Sequence, residues 1–185
     1  ENRPLDQFTR EILTAQGNVF KDGPVAYFFI DEKPEDLAET TAQVFLGVRM
    51  QCTRCHHHPF EVWEQDDYYG LAAFFTQLEI KQPQESGNSG RFGGTRILRW
   101  ISEPSPQRTL KVAANPHVLG EGSPIANENE DVRVHLAEWM TSPANPYFSR
   151  NFVNRYWAYL MGRGLVMPID DLRASNPASH PALFD

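Results

Sequence analysis

The chain has 185 residues, of which 41% are hydrophobic, enough to bury the core of one compact domain or of two small domains that share an interface. Its formal net charge is −7 at pH 7. This acidic balance argues against nucleic acid as a partner, because a phosphate-binding face is basic. No apolar stretch is long enough for a transmembrane segment, and none has the pattern of a signal peptide. The opening Glu1-Asn2-Arg3-Pro4 indicates a processed form or a piece of a longer protein.

The hydrophobic pattern of residues 1–80 predicts a helical region. One helix lies at the N-terminus, a second covers 34–51 and leads directly into the cysteines, and a third covers 63–77. The apolar run 25–30 predicts a buried strand or an extended packing segment. Gly70 is costly inside the third helix, and indicates close packing against a flat group.

Residues 81–130 predict a loop-rich segment with a small β-hairpin. Turn-forming residues fill 82–94, which reads as a mobile surface loop, and two strands are predicted over 96–101 and 109–113. Residues 131–185 predict a pair of helices and a proline-bearing tail. The expected fold is therefore mainly α with a small antiparallel β-sheet, in one compact unit.

The run Cys52-Thr53-Arg54-Cys55-His56 is the most informative feature of the chain. It has the spacing of a c-type haem attachment site, in which Cys52 and Cys55 form thioethers to the two vinyl groups of one haem. His56 then meets the iron as its proximal ligand. Because these are the only two cysteines in the sequence, no other site competes for them.

Two other kinds of site remain open for the same residues. A structural zinc ion would take both cysteines and either His57 or His58, although a closed site usually needs a second pair of ligands. A disulfide or thioredoxin-like redox pair would need a βαβ context, which a helix leading into the motif does not provide. His57 and His58 lie too close to His56 to reach the opposite face of the same iron. Three roles remain open for them: polar contacts, ligation of a second metal, or ligation of the haem of a neighbouring chain.

The sixth ligand of the iron is also open. A His or Met would give a low-spin electron carrier, and an empty position would allow small-ligand binding or peroxide chemistry. His117 and His180 lie in proline-bearing loops, which can place a ligand over a haem face. Met140 and Met161 fall on helical faces typical of a core. The candidates are His117, His135, His180, Met140, Met161 and Met167.

Several stretches of the sequence resemble one family. The run 36–49, the motif Cys52-x-x-Cys55-His56-x-His58-Pro59-Phe60 and the run Asp67-Tyr68-Tyr69-Gly70-Leu71-Ala72-Ala73-Phe74-Phe75 resemble the planctomycete-type cytochrome domain family. That family is a set of large secreted bacterial proteins of unknown role. The runs 136–148 and 152–166 resemble the start of the partner domain that usually follows in the same proteins.

This resemblance implies a haem c held by Cys52, Cys55 and His56, in a chain that is part of something longer. The family pattern also tends to keep His58 and the Ser-His-Pro at 179–181, which makes His180 the first choice for a distal iron ligand. The pattern usually has an acidic or amide residue at position 57. The histidine found there indicates a role of its own in this chain.

The resulting expectation is a mono-haem c-type cytochrome, more an electron carrier than an enzyme, exported to the periplasm or the extracellular space. Its partners would be a redox protein or neighbouring identical chains, with electrons relayed between haems of an assembly in the second case. The alternative is a zinc-braced structural or binding module of a larger secreted enzyme.

Overall fold

The computed structural model describes residues 2–31, 33–58, 61–81, 96–120 and 130–184. Within them the α-helices are α1 (Leu5–Leu13), α2 (Pro34–Thr41), α3 (Gln65–Ala73), α4 (Val132–Met140), α5 (Phe148–Met161) and α6 (Pro181–Phe184). Shorter turns are a 3₁₀ helix (Gly23–Phe29), a π-turn (Ala42–Leu46) and a second 3₁₀ segment (Gln51–Arg54), called here the Cys turn. The expected mainly helical class is confirmed.

A small antiparallel sheet covers one side of the helices. Its strands are β1 (Gly17–Asn18), β2 (Leu78–Lys81) and β3 (Ile97–Trp100), in the order β1-β3-β2. The central strand pairs through Leu98 with Gly17 on one side and with Ile80 on the other. The predicted small antiparallel sheet is therefore confirmed, but it joins segments from three distant parts of the chain.

The hairpin predicted for the loop-rich segment is wrong in one strand. The strand expected over 96–101 is present, whereas 109–113 forms no strand. Both edges of β3 are occupied by β1 and β2, so β3 has no edge left for the strand that was predicted to pair with it. Instead, the backbone N–H of Lys111 donates to a carboxylate oxygen of Glu35 at 3.3 Å, and Leu110 packs against the core. The loop predicted over 82–94 lies outside the described residues.

The single helix predicted over 34–51 is wrong as well. After α2 the chain continues through the π-turn, and the helical conformation ends at Gly47. The φ of Gly47 is +67°, the left-handed conformation that glycine tolerates best. Residues 48–50 are non-helical, and a new 3₁₀ segment then carries Cys52. The cysteines therefore lie on their own short turn and not at the end of a helix.

The apolar run at 25–30 is neither a strand nor an extended segment. It belongs to the first 3₁₀ helix, in which side chains three residues apart lie on the same side. Val25 and Phe28 have this spacing, and both are fully buried. The buried side chains of this run are therefore three residues apart, and not two residues apart as in a strand with one buried face.

The two C-terminal helices occur as predicted. α5 ends at Gly162, which caps it in a left-handed conformation with a φ of +78°. Met140, at the end of α4, is fully buried in the core, as its position on a helical face indicates. Among the described residues, no helix is both long and apolar enough to cross a membrane.

Candidate functional site

The Cys turn directs its two thiols to the outside of the protein. Cys52 lies within the 3₁₀ segment, and Cys55 is the residue that ends it, with its backbone N–H donating to the oxygen of Cys52 at 3.3 Å. Both are free thiols and both are exposed. Thr53 between them is fully buried, and its hydroxyl donates to the backbone oxygen of Met50 at 2.5 Å. The turn is thus fixed from the inside, while both sulfurs face solvent.

The imidazole of His56 follows on the exposed surface. Its Nδ1 lies 2.6 Å from the backbone oxygen of His57. A carbonyl oxygen can only accept, so Nδ1 must carry the proton in this hydrogen bond. In the neutral ring this hydrogen bond leaves the lone pair on Nε2, the tautomer that binds a metal through Nε2 while Nδ1–H is held by a carbonyl.

A group of charged side chains holds the Cys turn against the helices behind it. The guanidinium of Arg54 lies 2.9 Å from a carboxylate oxygen of Asp36 and 3.6 Å from one of Glu39. The backbone oxygen of Arg54 accepts from the side-chain amide of Gln65 at 3.1 Å. α2 and α3 therefore both contact Arg54, one of the two residues between the cysteines.

Two tyrosines of α3 complete this contact. The hydroxyl of Tyr68 donates to Glu39 at 2.6 Å, and burial together with that carboxylate raises the pKa of Tyr68. Burial, with Glu35 nearby, also raises the pKa of Tyr69. Both rings stay neutral, and the Tyr69 hydroxyl donates to the backbone oxygen of Arg54 at 3.4 Å.

The C-terminal part of the chain holds the linker that leads into the Cys turn. Arg49, three residues before Cys52, lies 2.5 Å from a carboxylate oxygen of Asp170, which also accepts from Gln43. The side-chain amide of Asn151 on α5 donates to the oxygen of Val44 at 2.7 Å. The π-turn and the linker are thereby tied to residues more than a hundred positions away in the sequence.

Asp170 should make the stability of the folded protein depend on pH. Burial raises the pKa of the Asp170 carboxyl, but hydrogen bonds from Gln43 and Arg49 outweigh it and hold the pKa below its usual value. A lowered folded-state pKa stabilises the fold above the unfolded-state pKa, about 3.9, and this contribution is lost as the pH falls through the folded-state pKa. We expect Asp170→Asn to be less stable than the wild type at neutral pH.

The measurement is the free energy of unfolding of both proteins by urea as a function of pH. The difference between them should be constant near neutrality and should shrink below about pH 4, where the wild-type carboxylate also becomes protonated. A difference that stays the same down to the acid limit would mean that the ionised form of Asp170 stabilises nothing.

The structure brings two of the candidate distal ligands, His180 and Met161, to the same cavity. His180 lines a cavity of about 370 Å³ with Trp157 and Met161, at the C-terminal end of α5. The hydrogen bonds and ion pairs of the described residues do not connect it to the Cys turn. The prediction that Met161 lies on a core-facing side of its helix is wrong, because its side chain is exposed at the end of α5, and Met167 is exposed as well.

His117 lies against α3 and is only 4% exposed. Its ring meets Gly70, where an added Cβ would lie 2.0 Å from Cε1 of the imidazole. The prediction that Gly70 packs against a flat group is confirmed, and the group is this ring. Nδ1 lies 3.1 Å from the oxygen of Asn115, whereas the buried Nε2 has no hydrogen-bond partner among the described residues and lies 3.8 Å from Asp66.

Gly70→Ala should therefore destabilise the protein. The clash costs about 1–3 kcal/mol, which exceeds the gain of up to ~1 kcal/mol of alanine over glycine inside a helix. The measurement is the free energy of unfolding by urea. Gly23→Ala is the matched control, because its Cβ would meet nothing within 4 Å.

A double-mutant cycle tests the cause. In a His117→Ala background the ring is gone, and Gly70→Ala should become neutral or stabilising. If Gly70→Ala stabilised the protein in the presence of His117 as well, the close contact would not exist in solution.

Two family models match the chain. Residues 1–80 match PSCyt2, described as a protein of unknown function (DUF1549). Residues 132–185 match PSD1, also described as a protein of unknown function (DUF1553). These are the planctomycete-type domains that the sequence resembles. The Cys turn lies in the PSCyt2 segment (1–80), and the clamp formed by Asp170 and Asn151 comes from the PSD1 segment (132–185). No curated protein and no solved structure matches the chain.

Sequence reasoning finds the thiols and the imidazole but misses the residues that hold them. Arg54 occupies one of the two positions that the C-x-x-C spacing leaves unspecified, and nothing near it in sequence reveals Asp36 as its partner. Asp170 lies 121 positions from Arg49. For zinc, the described residues contain no group of three or more His, Cys, Asp or Glu side chains that could hold a metal ion.

Proposed function

We propose that this protein binds one haem c covalently, with Cys52 and Cys55 as the thioether-forming residues and His56 as the proximal iron ligand. The observation that carries the proposal is the arrangement of the Cys turn. Two free thiols are exposed within this turn and at its end, and the next residue is an exposed imidazole whose Nδ1 contacts a carbonyl, which leaves Nε2 for a metal in the neutral ring. This donor set fits a c-type haem.

The surrounding residues hold these donors in place. Thr53 fixes the inner side of the turn, Arg54 ties it to two carboxylates of α2, and the carbonyl of His57 orients the His56 ring. None of these contacts uses a thiol or Nε2, so all three donors remain available. A bound haem would supply one-electron redox chemistry at this surface.

The proposed role is electron transfer outside the cytoplasm, as the resemblance to large secreted proteins implies. An exposed attachment turn suits exchange with a redox partner or with the haem of a neighbouring copy, because electron exchange needs a haem near the surface. The family descriptions leave this role open. The zinc-braced alternative gains no support from the described side chains.

The test is production of the chain in a host that matures c-type cytochromes. We expect one iron per chain, haem that stays attached on a denaturing gel, and a sharp α band in the reduced-minus-oxidised spectrum. One zinc per chain, or a protein that takes up no haem in that host, would contradict the proposal.

His180 stays a prediction as the distal ligand. Spectra of the His180→Ala and His117→Ala variants would test it, since loss of a distal imidazole converts the iron from low to high spin. We expect the change with His180→Ala and not with His117→Ala. An unchanged spectrum in His180→Ala would remove this residue from the site.

A further inference from the structure

The imidazole of His117 is buried against α3 with one ring nitrogen paired and the other unpaired. Nδ1 lies 3.1 Å from the backbone oxygen of Asn115, so Nδ1 carries the proton in this hydrogen bond. In the neutral ring the lone pair is then on Nε2. This nitrogen is buried and has no hydrogen-bond partner in the part of the chain that the structure describes. In folded proteins a buried polar atom is normally paired with the protein, with water or with an ion.

A carboxylate lies close to this nitrogen. One oxygen of Asp66 is 3.8 Å from Nε2 of His117, too far for a direct hydrogen bond. A water molecule that donated to both atoms would hold them about 4.5 Å apart. A Zn²⁺ ion bound to both would hold them about 3.4 Å apart at the tetrahedral angle and about 4.2 Å apart at most. The observed separation therefore fits a shared metal ion better than a shared water.

The segment that carries His117 is fixed along α3. The backbone N–H of His117 donates to the oxygen of Gly70 at 3.3 Å, and that of Gly120 donates to the carboxylate of Asp67 at 3.3 Å. The two residues between them are buried in the core. Metal-binding histidines are typically held as this ring is, with the second ring nitrogen donating to a carbonyl. The nitrogen donor is thus oriented before any ion binds.

We propose that His117 and Asp66 together bind one divalent transition-metal ion, of the Zn²⁺ type that nitrogen and oxygen ligands suit. No third His, Cys, Asp or Glu of the described residues completes a metal-binding group, so water fills the remaining positions. Asp66 is 78% exposed, which leaves its side of the ion open to solvent. The ion joins α3 to residues 115–120, which lie outside both matched family segments.

Titration of the full 185-residue chain with Zn²⁺ tests the proposal. The Cys52→Ser/Cys55→Ser background removes the thiols, which would otherwise compete for zinc. Zinc is added after purification, because an ion with two protein ligands exchanges with solvent. Long-range ¹H–¹⁵N spectra resolve the ring nitrogens of each histidine, and the contact with Gly70 identifies the His117 ring. We expect the Nε2 resonance of His117 to shift and to saturate, while Nδ1 keeps its proton.

Asp66→Asn should raise the dissociation constant for zinc at His117 at least about tenfold, because a neutral amide replaces the charged ligand. Glu130→Gln is the matched control. It removes an exposed carboxylate that lies 3.8 Å from Nε2 of another histidine, His135. This variant should leave the dissociation constant at His117 unchanged. Both substitutions are at exposed positions, so the fold is retained.

Two results would overturn the proposal. One is an Nε2 resonance of His117 that does not move at millimolar zinc, and the other is an equal response in the Asp66→Asn variant. The background has no thiols, so neither result depends on whether the wild type takes up haem. Failure of this site and failure of the haem proposal are therefore separate findings.

Discussion

The double substitution Cys52→Ser/Cys55→Ser is expected to abolish covalent haem attachment completely and to leave the fold intact. A serine hydroxyl forms no thioether, so the haem is lost from the denaturing gel and the α band disappears with it. Both side chains are exposed, and exposed substitutions away from special contacts change stability by about 0.5 kcal/mol or less. The measurements are haem staining, iron per chain and the urea unfolding midpoint.

His57→Ala is the matched control for this experiment. Its side chain is an exposed imidazole next to His56, and the contact that orients His56 uses only the backbone oxygen of residue 57. Attachment should therefore be unchanged in this variant. Equal loss of haem in His57→Ala would show that the Cys turn does not act through the residues assigned to it.

The second large effect is expected from Arg133→Leu, which should destabilise the protein by about 3–5 kcal/mol. Arg133 is fully buried at the start of α4. Its guanidinium donates to both carboxylate oxygens of Asp131, at 2.9 and 2.6 Å, and to the oxygen of Ala15 at 3.1 Å. Its centre also lies 5.0 Å from the middle of the Phe28 ring. Leucine would leave the carboxylate and the carbonyl without their partner.

Urea unfolding of Arg133→Leu measures this cost against a typical total stability of about 5–15 kcal/mol. Arg99→Leu is the control, since Arg99 is 47% exposed and pairs with Glu79 at the surface, where loss costs less than about 1 kcal/mol. Asp131→Asn in the Arg133→Leu background should recover part of the loss, because it removes the unpaired charge. If Arg133→Leu cost no more than Arg99→Leu, the buried charge would not be a major stabilising contact.

Local sequence patterns were sufficient for the features that depend on near neighbours. The 3.6-residue apolar repeat predicts α1, α3, α4 and α5, because a helix needs only hydrogen bonds within its own segment. The strand at 97–100 also follows from its apolar character. Gly70 could be read as a close contact, because glycine inside a helix is costly unless something occupies the space of a side chain.

The predictions that failed depended on partners far along the chain. The segment 109–113 has the composition of a strand, but both edges of β3 pair with β1 and β2. The run 25–30 could bury its apolar side chains as a strand or as a 3₁₀ turn, and packing against the core decided it. The helix predicted through 34–51 breaks at Gly47, where the oxygen accepts from the N–H of Leu172 at 2.8 Å.

The sequence by itself determined the mainly helical class and singled out Cys52, Cys55 and His56 for the proposed haem site, since residue identity defines which side chains can form thioethers or bind iron. Only the tertiary structure decided how Cys52, Cys55 and His56 are presented. Their orientation depends on Thr53 being buried, on Arg54 meeting Asp36, and on a clamp from the PSD1 segment. These contacts join residues separated by up to 127 positions, and no local pattern encodes which distant side chain completes them.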